Sequence, residues 1–230
     1  MVDYSIYEAT ASKPRPRVSR KGISRIGKNL SQADITKKID TQKGLHKLDP
    51  SKLTFTISDL IRIANNRKKF LPTKMGKMRN LRMVSVTPNP ASKSLSFRGI
   101  SDGVDVVRGK ETPRAGKYIL NQTYFGISFS DKQDKKHKIK VNTKGGLTYF
   151  VSQIQRNKNP VQVRCQCEDF NWSFSWWDQK VRALLGQVPS KVVNYKSKGT
   201  GIPRNPGHYP SFCKHLYKFT SLIRDRGFMN

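Results

Sequence analysis

The sequence predicts an α+β protein, in which a small antiparallel sheet domain lies between an extended basic N-terminal arm and a C-terminal helical module. Three observations support this class. From residue 81 to residue 165, short segments rich in β-branched and aromatic residues alternate with turn residues. From Cys213 to Arg226, apolar residues recur at helical spacing, and Gly227 then supplies a stop signal. Residues 11–28 combine seven Lys and Arg with Pro and Gly, and have too little apolar surface for a core.

These elements divide the chain into a basic extended arm (1–52), a β-rich α+β core (53–160) and a C-terminal module with an aromatic insert (161–230). In the core, the alternation of Leu53, Phe55 and Ile57 predicts a strand that leads through Ser58 and Asp59 into a helix. We then expect an antiparallel sheet with strands at residues 83–86, 94–100, 118–129, 137–141, 147–154 and 161–165. Turn signals occupy residues 88–90, 102–103, 113–116, 131–136 and 145–146.

A candidate ligand set is split across the last third of the chain. Cys165 and Cys167 form a Cys-x-Cys pair, and Cys213 and His215 form a Cys-x-His pair, which together use all three cysteines. Three thiolates and an imidazole suit tetrahedral Zn²⁺, and four protein ligands would close its coordination sphere. The cysteines could instead be small core residues, whereas three thiols in this spacing suit a disulfide framework poorly. The sequence therefore predicts a zinc-stapled module in which the ion pins the start of the terminal helix to a strand end.

The order Cys-x-Cys, spacer, Cys-x-His resembles that of SWIM-type zinc fingers, although the spacer of residues 168–212 is longer than in a compact finger. This resemblance implies that residues 161–230 are a SWIM-like zinc module. The stretch from Ile202 to Leu216, with its Asn-Pro, Pro and Cys-Lys-His-Leu motifs, resembles a segment of virion structural proteins of tailed bacteriophages. That second likeness spans residues 161–220 and implies a virion component, without indicating tail, baseplate or neck.

The charge of the chain restricts its partners. With 45 Lys and Arg against 15 Asp and Glu, the formal net charge is +30, so copies of the chain repel one another. Such an excess can be a solvated face, but it also suits nucleic acid, acidic proteins or an assembly that supplies both. We expect the arm to contact neighbouring protein subunits of a large assembly, or nucleic acid, through seven cations: Lys13, Arg15, Arg17, Arg20, Lys21, Arg25 and Lys28.

All three tryptophans, Trp172, Trp176 and Trp177, lie in the insert between the ligand pairs. They could pack in the core beside the metal, anchor a protein interface or stack on nucleic-acid bases. Packing is favoured because Val181 and Leu184 are predicted to continue an apolar helical face. Residues 191–210, rich in Lys, Gly, Asn and Pro, predict an ordered loop that returns to the second ligand pair.

The remaining candidate chemistry is sparse. Glu168 and Asp169 could accept a hydrogen bond from a metal-bound histidine, or cap a helix, or face solvent. His46 and His137 have no evident partners, and His137 is expected to be exposed in a Lys-rich turn. His208 could replace the histidine ligand only if the local turn folded it back.

The patterns of common enzymes are missing from the sequence, which contains no phosphate-binding Gly-rich loop, HExxH helix or nucleophile elbow. No apolar run reaches the length of a membrane span or a secretory signal. We therefore expect a non-enzymatic structural or assembly protein of a phage virion, neither secreted nor membrane-bound and without a small-molecule substrate. The alternatives are a nucleic-acid-binding zinc protein, of ribosome-like or DNA-packaging type, and a zinc-dependent nuclease or recombinase accessory.

Overall fold

The computed structural model describes residues 53–65, 80–107, 110–143, 145–197 and 209–230. The predicted arm, with its seven cations, lies outside the described residues, as do His46 and His208. The described helices are α1 (Ile57–Asn65), α2 (Glu168–Ser173), α3 (Ser175–Lys180), α4 (Ser190–Ser197) and α5 (Lys214–Asp225). The described strands are β1 (Arg82–Asn89), β2 (Ser94–Val107), β3 (Lys110–Phe125), β4 (Phe129–Ser130), β5 (His137–Asn142), β6 (Thr148–Ser152) and β7 (Val161–Cys165).

The larger sheet has four antiparallel strands in the order β1-β2-β3-β7. This confirms the predicted α+β class with small antiparallel sheets. The turns predicted at residues 102–103 and 113–116 are wrong, because β2 and β3 continue past both as one long hairpin. Between the pairs Asp102↔Lys117 and Val104↔Pro113 the register shifts, since Gly103 faces three residues of the other strand. Glycine and proline therefore mark a bulge here and not a chain reversal.

A second, smaller sheet has the strand order β4-β6-β5, so the described residues form two sheets where one was expected. The predicted strand 118–129 is interrupted at Gly126, whose φ of +72° lies in the left-handed region that favours glycine. This residue turns the chain out of β3 and towards the smaller sheet. The end of the chain lies beside the segment that follows β6, where Ile154 forms an isolated bridge with Met229.

Helix α1 begins one turn earlier than the sequence suggested, because Ile57 belongs to the helix and not to a strand. The side chain of Asp59 accepts hydrogen bonds from the backbone N and the hydroxyl of Thr56, while Asp59 N donates to Thr56 Oγ1. This reciprocal pair is a capping box that satisfies the free amides at the start of a helix. The core face of this helix is formed by Leu60, Ile63 and Ala64, which are buried.

Two further expectations for the insert are wrong. Residues 190–197 form α4, so the predicted loop 191–210 is helical at its start, and residues 198–208 lie outside the described residues. The helical face expected to continue through Val181 and Leu184 ends with α3, because Arg182 has a φ of +58°. Leu184 then forms a parallel bridge with Val163 of β7. Tertiary pairing with a sheet edge here overrides apolar spacing.

Helix α5 packs against the larger sheet, where it contacts β3 and β7. The predicted stop at Gly227 is confirmed: its φ is +81°, and Phe228 N donates to Ile223 O, as in a Schellman motif. Phe219 is fully buried where α5 crosses β2. Buried side chains from residue 55 to residue 229 form one continuous cluster. None of the helices in the described ranges has the length and apolar character needed to cross a bilayer.

A buried polar network also fastens α5 to β3. Gln122 is fully buried, and its Nε2 donates to Leu216 O at 3.0 Å and to Thr220 Oγ1 at 2.9 Å. Tyr124 donates its hydroxyl to Gln122 Oε1 at 2.6 Å. Burial raises the pKa of Tyr124, which keeps the phenol protonated as a donor. This network holds the helix that carries half of the candidate ligand set.

Candidate metal centre

The structure brings the four predicted ligands together. Cys165, Cys167, Cys213 and His215 are all buried, and their ligand atoms lie within 4.8 Å of one another. In a tetrahedral thiolate site, zinc–sulfur bonds of about 2.3 Å place sulfur atoms roughly 3.8 Å apart. Cys213 Sγ and His215 Nδ1 are 3.8 Å apart. The cluster could therefore hold a metal ion with little movement of its side chains.

The Cys-x-Cys pair is positioned by the larger sheet. Cys165 is the last residue of β7 and pairs with Leu120 of β3. Gln166, between the two ligands, forms two hydrogen bonds with Ile119 of β3. Its backbone N donates to Ile119 O at 3.1 Å, and its side-chain Oε1 accepts from Ile119 N at 3.2 Å. This clamp turns Cys167 back towards Cys165, and Cys167 N then donates to Cys165 Sγ at 3.4 Å.

Two helices begin at the cluster. Cys167 is the N-cap of α2, and its sulfur accepts a hydrogen bond from Phe170 N at 3.3 Å. Cys213 is the N-cap of α5, which places His215 in the first turn of that helix. Tyr118 contacts the imidazole edge to face, with ring centroids 5.1 Å apart. N–H donors at a helix N-terminus favour negative charge, so the hydrogen bond from Phe170 stabilises a thiolate at Cys167.

The three sulfurs differ in their affinity for protons. Burial raises the pKa values of Cys165 and Cys213, because a charged thiolate is poorly solvated in the protein interior. Hydrogen bonds from those two thiols lower the pKa of Cys167. The cluster alone thus favours a single thiolate shared among three sulfurs. A divalent cation would supply the charge that allows the other two to ionise.

The side chains next to the ligands have simpler roles. Glu168 and Asp169 are exposed in the first turn of α2, where acidic groups suit the helix dipole, and Asp169 accepts a hydrogen bond from Ser173 Oγ. The helix cap itself is a cysteine. Trp172 and Trp176 are half-buried against the core, and each has a lysine ammonium over its ring. Lys191 lies over Trp172, and Lys180 lies over Trp176. Trp177 is also half-buried.

The expectation for His137 is wrong. This residue is buried, and hydrogen bonds link its imidazole to Ser128 and to Asp134. Sequence analysis missed the contact because Ser128 is separated from the histidine by a lysine-rich loop that reads as solvent-exposed. The one sequence feature that could have predicted a partner for this histidine is Asp134, which lies three residues before it.

A second residue that sequence analysis missed is Asp178 in α3. This carboxyl is fully buried, its Oδ1 accepts from Ser211 N at 2.9 Å, and its Oδ2 has no hydrogen-bond partner in the described residues. Burial raises its pKa well above the ordinary value, and the Ser211 hydrogen bond opposes that rise. Ser211 lies two residues before Cys213, so Asp178 holds the segment that delivers this ligand.

We expect Asp178→Asn to stabilise the protein at neutral pH, by on the order of 1–3 kcal/mol, because the amide cannot become a buried charge. A raised folded-state pKa means that the wild-type carboxyl stabilises the fold fully below its ordinary pKa of about 4, and loses this contribution as pH rises. The gain of the variant should therefore be absent near pH 4 and grow with pH. Chemical denaturation of variant and wild type across this range measures the difference.

Asp178→Ala is the matched control for this prediction. It removes the acceptor of Ser211 N and leaves a buried donor unsatisfied, so it should destabilise the protein at every pH. If the asparagine and alanine variants lost the same stability at pH 7, the interpretation of Asp178 as a mainly neutral positioning group would be wrong.

Comparison with known proteins adds no relationship to this geometry: no family model matches the chain, and no curated protein or solved structure shows significant similarity to it.

Proposed function

We propose that the cluster of Cys165, Cys167, Cys213 and His215 binds Zn²⁺ as a closed structural site of SWIM type. Zinc accepts a three-sulfur, one-nitrogen set in tetrahedral geometry, and such closed sites contribute to folding. The observation that carries this proposal is the placement of the cluster: its four buried ligands join the end of β7 to the start of α5. An ion surrounded by four protein ligands has no open position for a substrate.

On this basis we propose that the protein is a structural or assembly component of a large particle, with a metal site that has no catalytic role and with the virion of a tailed phage as its setting. The support is the Cys-Lys-His-Leu resemblance together with a net charge of +30, which needs an acidic counterpart. The zinc-bound module would supply a rigid body, and the arm would contact neighbouring subunits. Tail, baseplate and neck remain equally suitable positions within such a virion.

This proposal is tested by locating the chain in purified phage particles. We expect it to remain in particles that have been emptied of DNA, treated with nuclease and washed at high salt, since protein contacts would hold it. Replacing the seven arm cations with glutamine should release the chain, while the same number of Lys→Gln changes in β5, β6 and their loops should not. Loss of the wild-type chain together with the DNA would contradict the proposal.

A second function is favoured by the two tryptophans that have a lysine ammonium over the ring. Lys180 Nζ lies 5.1 Å from the ring centroid of Trp176, and Lys191 Nζ lies 5.6 Å from that of Trp172. Half-buried aromatic rings beside cations are typical of surfaces on which single-stranded nucleic acid stacks. The chain would then be a zinc-stabilised nucleic-acid-binding protein.

The two functions differ in their dependence on salt. Binding of a single-stranded oligonucleotide should weaken steeply with salt, with a slope of about −0.7 for each phosphate that is neutralised. Trp172→Ala and Trp176→Ala should each cost about 1–3 kcal/mol of affinity if bases stack there. Unchanged affinity in both variants would leave only non-specific charge attraction and would exclude the stacking surface.

A further inference from the structure

A second cluster of chemically active side chains lies away from the metal centre, at the smaller sheet. Ser128 comes directly before β4, Asp134 lies in the loop that follows, and His137 is the first residue of β5. Ser128 Oγ is 2.7 Å from His137 Nε2, and His137 Nδ1 is 2.8 Å from Asp134 Oδ2. The two ring nitrogens thus contact the hydroxyl and the carboxylate in the order used by serine hydrolases.

The loop holds the carboxylate in one orientation. Asp134 Oδ1 accepts hydrogen bonds from the backbone N of Lys136 and of His137, both at 2.7 Å, which leaves Oδ2 for the imidazole. The hydrogen bond with His137 lowers the pKa of Asp134 to about 2, so the group is an ionised acceptor at neutral pH. In the neutral imidazole, Nδ1 must then carry the proton. The lone pair of Nε2 consequently faces Ser128, whose hydroxyl donates to it.

Hydrogen bonds also fix the backbone of Ser128. Its backbone N donates to Ser152 Oγ at 3.2 Å, and its carbonyl accepts from Ser152 N at 3.0 Å, which anchors Ser128 on the end of β6. The side chain of His137 is 11% exposed, so the base is largely shielded from solvent, whereas Ser128 is half-buried. A nucleophile beside an oriented base is the arrangement that activates serine.

We propose that Ser128 is a nucleophile that cleaves carboxylic esters, with His137 as its general base and Asp134 as the positioning residue that orients the imidazole. Four lysines and two aspartates occupy residues 131–138, so the local charge favours esters with an anionic acyl group. This activity would be separate from the metal centre and does not depend on the function proposed above.

The reaction would proceed in two balanced steps. Ser128 Oγ bonds to the ester carbonyl carbon as its proton passes to His137 Nε2. The bond to the leaving alcohol breaks, and that alcohol takes the proton from His137, which leaves an acyl-serine. Water then attacks the acyl carbon and gives a proton to Nε2. The carboxylic acid leaves, and Ser128 recovers its proton.

A fluorophosphonate probe tests the nucleophile in the full chain. We expect stoichiometric labelling that peptide mass spectrometry places on Ser128, and slow hydrolysis of p-nitrophenyl acetate that Ser128→Ala abolishes. Asp134→Asn keeps an acceptor for the two backbone amides but loses the ionised partner of the imidazole. It should slow labelling about 10²- to 10⁴-fold, while the melting temperature stays close to that of the wild type.

Ser96 is the internal control, because it is also half-buried but contacts the hydroxyl of Thr123 in place of an imidazole. Labelling of Ser96 and Ser128 at equal rates in the wild-type chain would overturn the proposal, whatever the variants do. So would an unchanged labelling rate in Asp134→Asn, since the three side chains would then only close the loop before β5.

Discussion

Replacing Cys213 with serine is expected to abolish metal binding and to unfold the C-terminal region. Structural zinc contributes about 10–16 kcal/mol of apparent binding free energy in zinc-finger peptides, which is comparable to or larger than the roughly 5–15 kcal/mol that stabilises a typical domain. Without the zinc cation, the two remaining cysteines and the histidine would also be buried with no ion to bind. Chelation of the wild-type protein should give the same result.

Tryptophan fluorescence measures this effect locally, because all three tryptophans lie between the ligand pairs. The emission should shift to the red in Cys213→Ser and after chelation, and metal analysis should fall from one zinc per chain to none. His215→Cys is the matched control, since a four-cysteine set also suits zinc and should retain the ion. Equal melting temperatures for the wild type with and without chelator would exclude a folding role for the metal.

Replacing Gly99 with alanine is expected to destabilise the protein by about 1–3 kcal/mol, the usual cost of overpacking a core. A Cβ atom at Gly99 would lie 2.6 Å from Phe219 Cε2 and 2.9 Å from its Cζ, closer than any normal contact. Phe219 is fully buried on the helix that carries His215, so the ring cannot swing into solvent. The clash would push α5 away from the sheet and strain the metal centre.

Gly116→Ala is the control for this prediction, because a Cβ at that exposed strand position meets no atom within 4 Å. It should change the free energy of unfolding by no more than about 0.5 kcal/mol. Urea denaturation measures both variants. Phe219→Leu should restore part of the free energy of unfolding that Gly99→Ala loses when the two substitutions are combined. If their effects on the free energy of unfolding simply added, the two residues would not share one packing constraint.

Local patterns were enough to find most elements of this fold. The strands that contain Val86, Phe97, Val141 and Val151, and the terminal helix with its stop at Gly227, all follow from alternation, helical spacing or a left-handed glycine. The cluster of three cysteines and one histidine could also be predicted, because these residue types at this spacing are typical of a metal site. Each of these signals acts over a few residues.

The failures have a common physical origin. Gly103 could not be identified as a bulge, because whether glycine ends a strand or distorts it depends on the partner strand. Leu184 was assigned to a helix because apolar spacing alone cannot reveal a sheet edge that offers hydrogen bonds. His137 was expected in solvent because its neighbours along the chain are lysines, although its contacts are made by Ser128 and Asp134.

By itself, the sequence determined the α+β class, the basic character of the chain and the identity of the candidate metal ligands, since these depend on residue types and short spacings. Only the tertiary structure decided that β7 pairs with β3, that Asp178 holds the segment before Cys213, and that a serine, a histidine and an aspartate meet at the smaller sheet. These contacts join residues that local pattern does not relate, and their free energy is gained only when the surrounding surfaces are buried together.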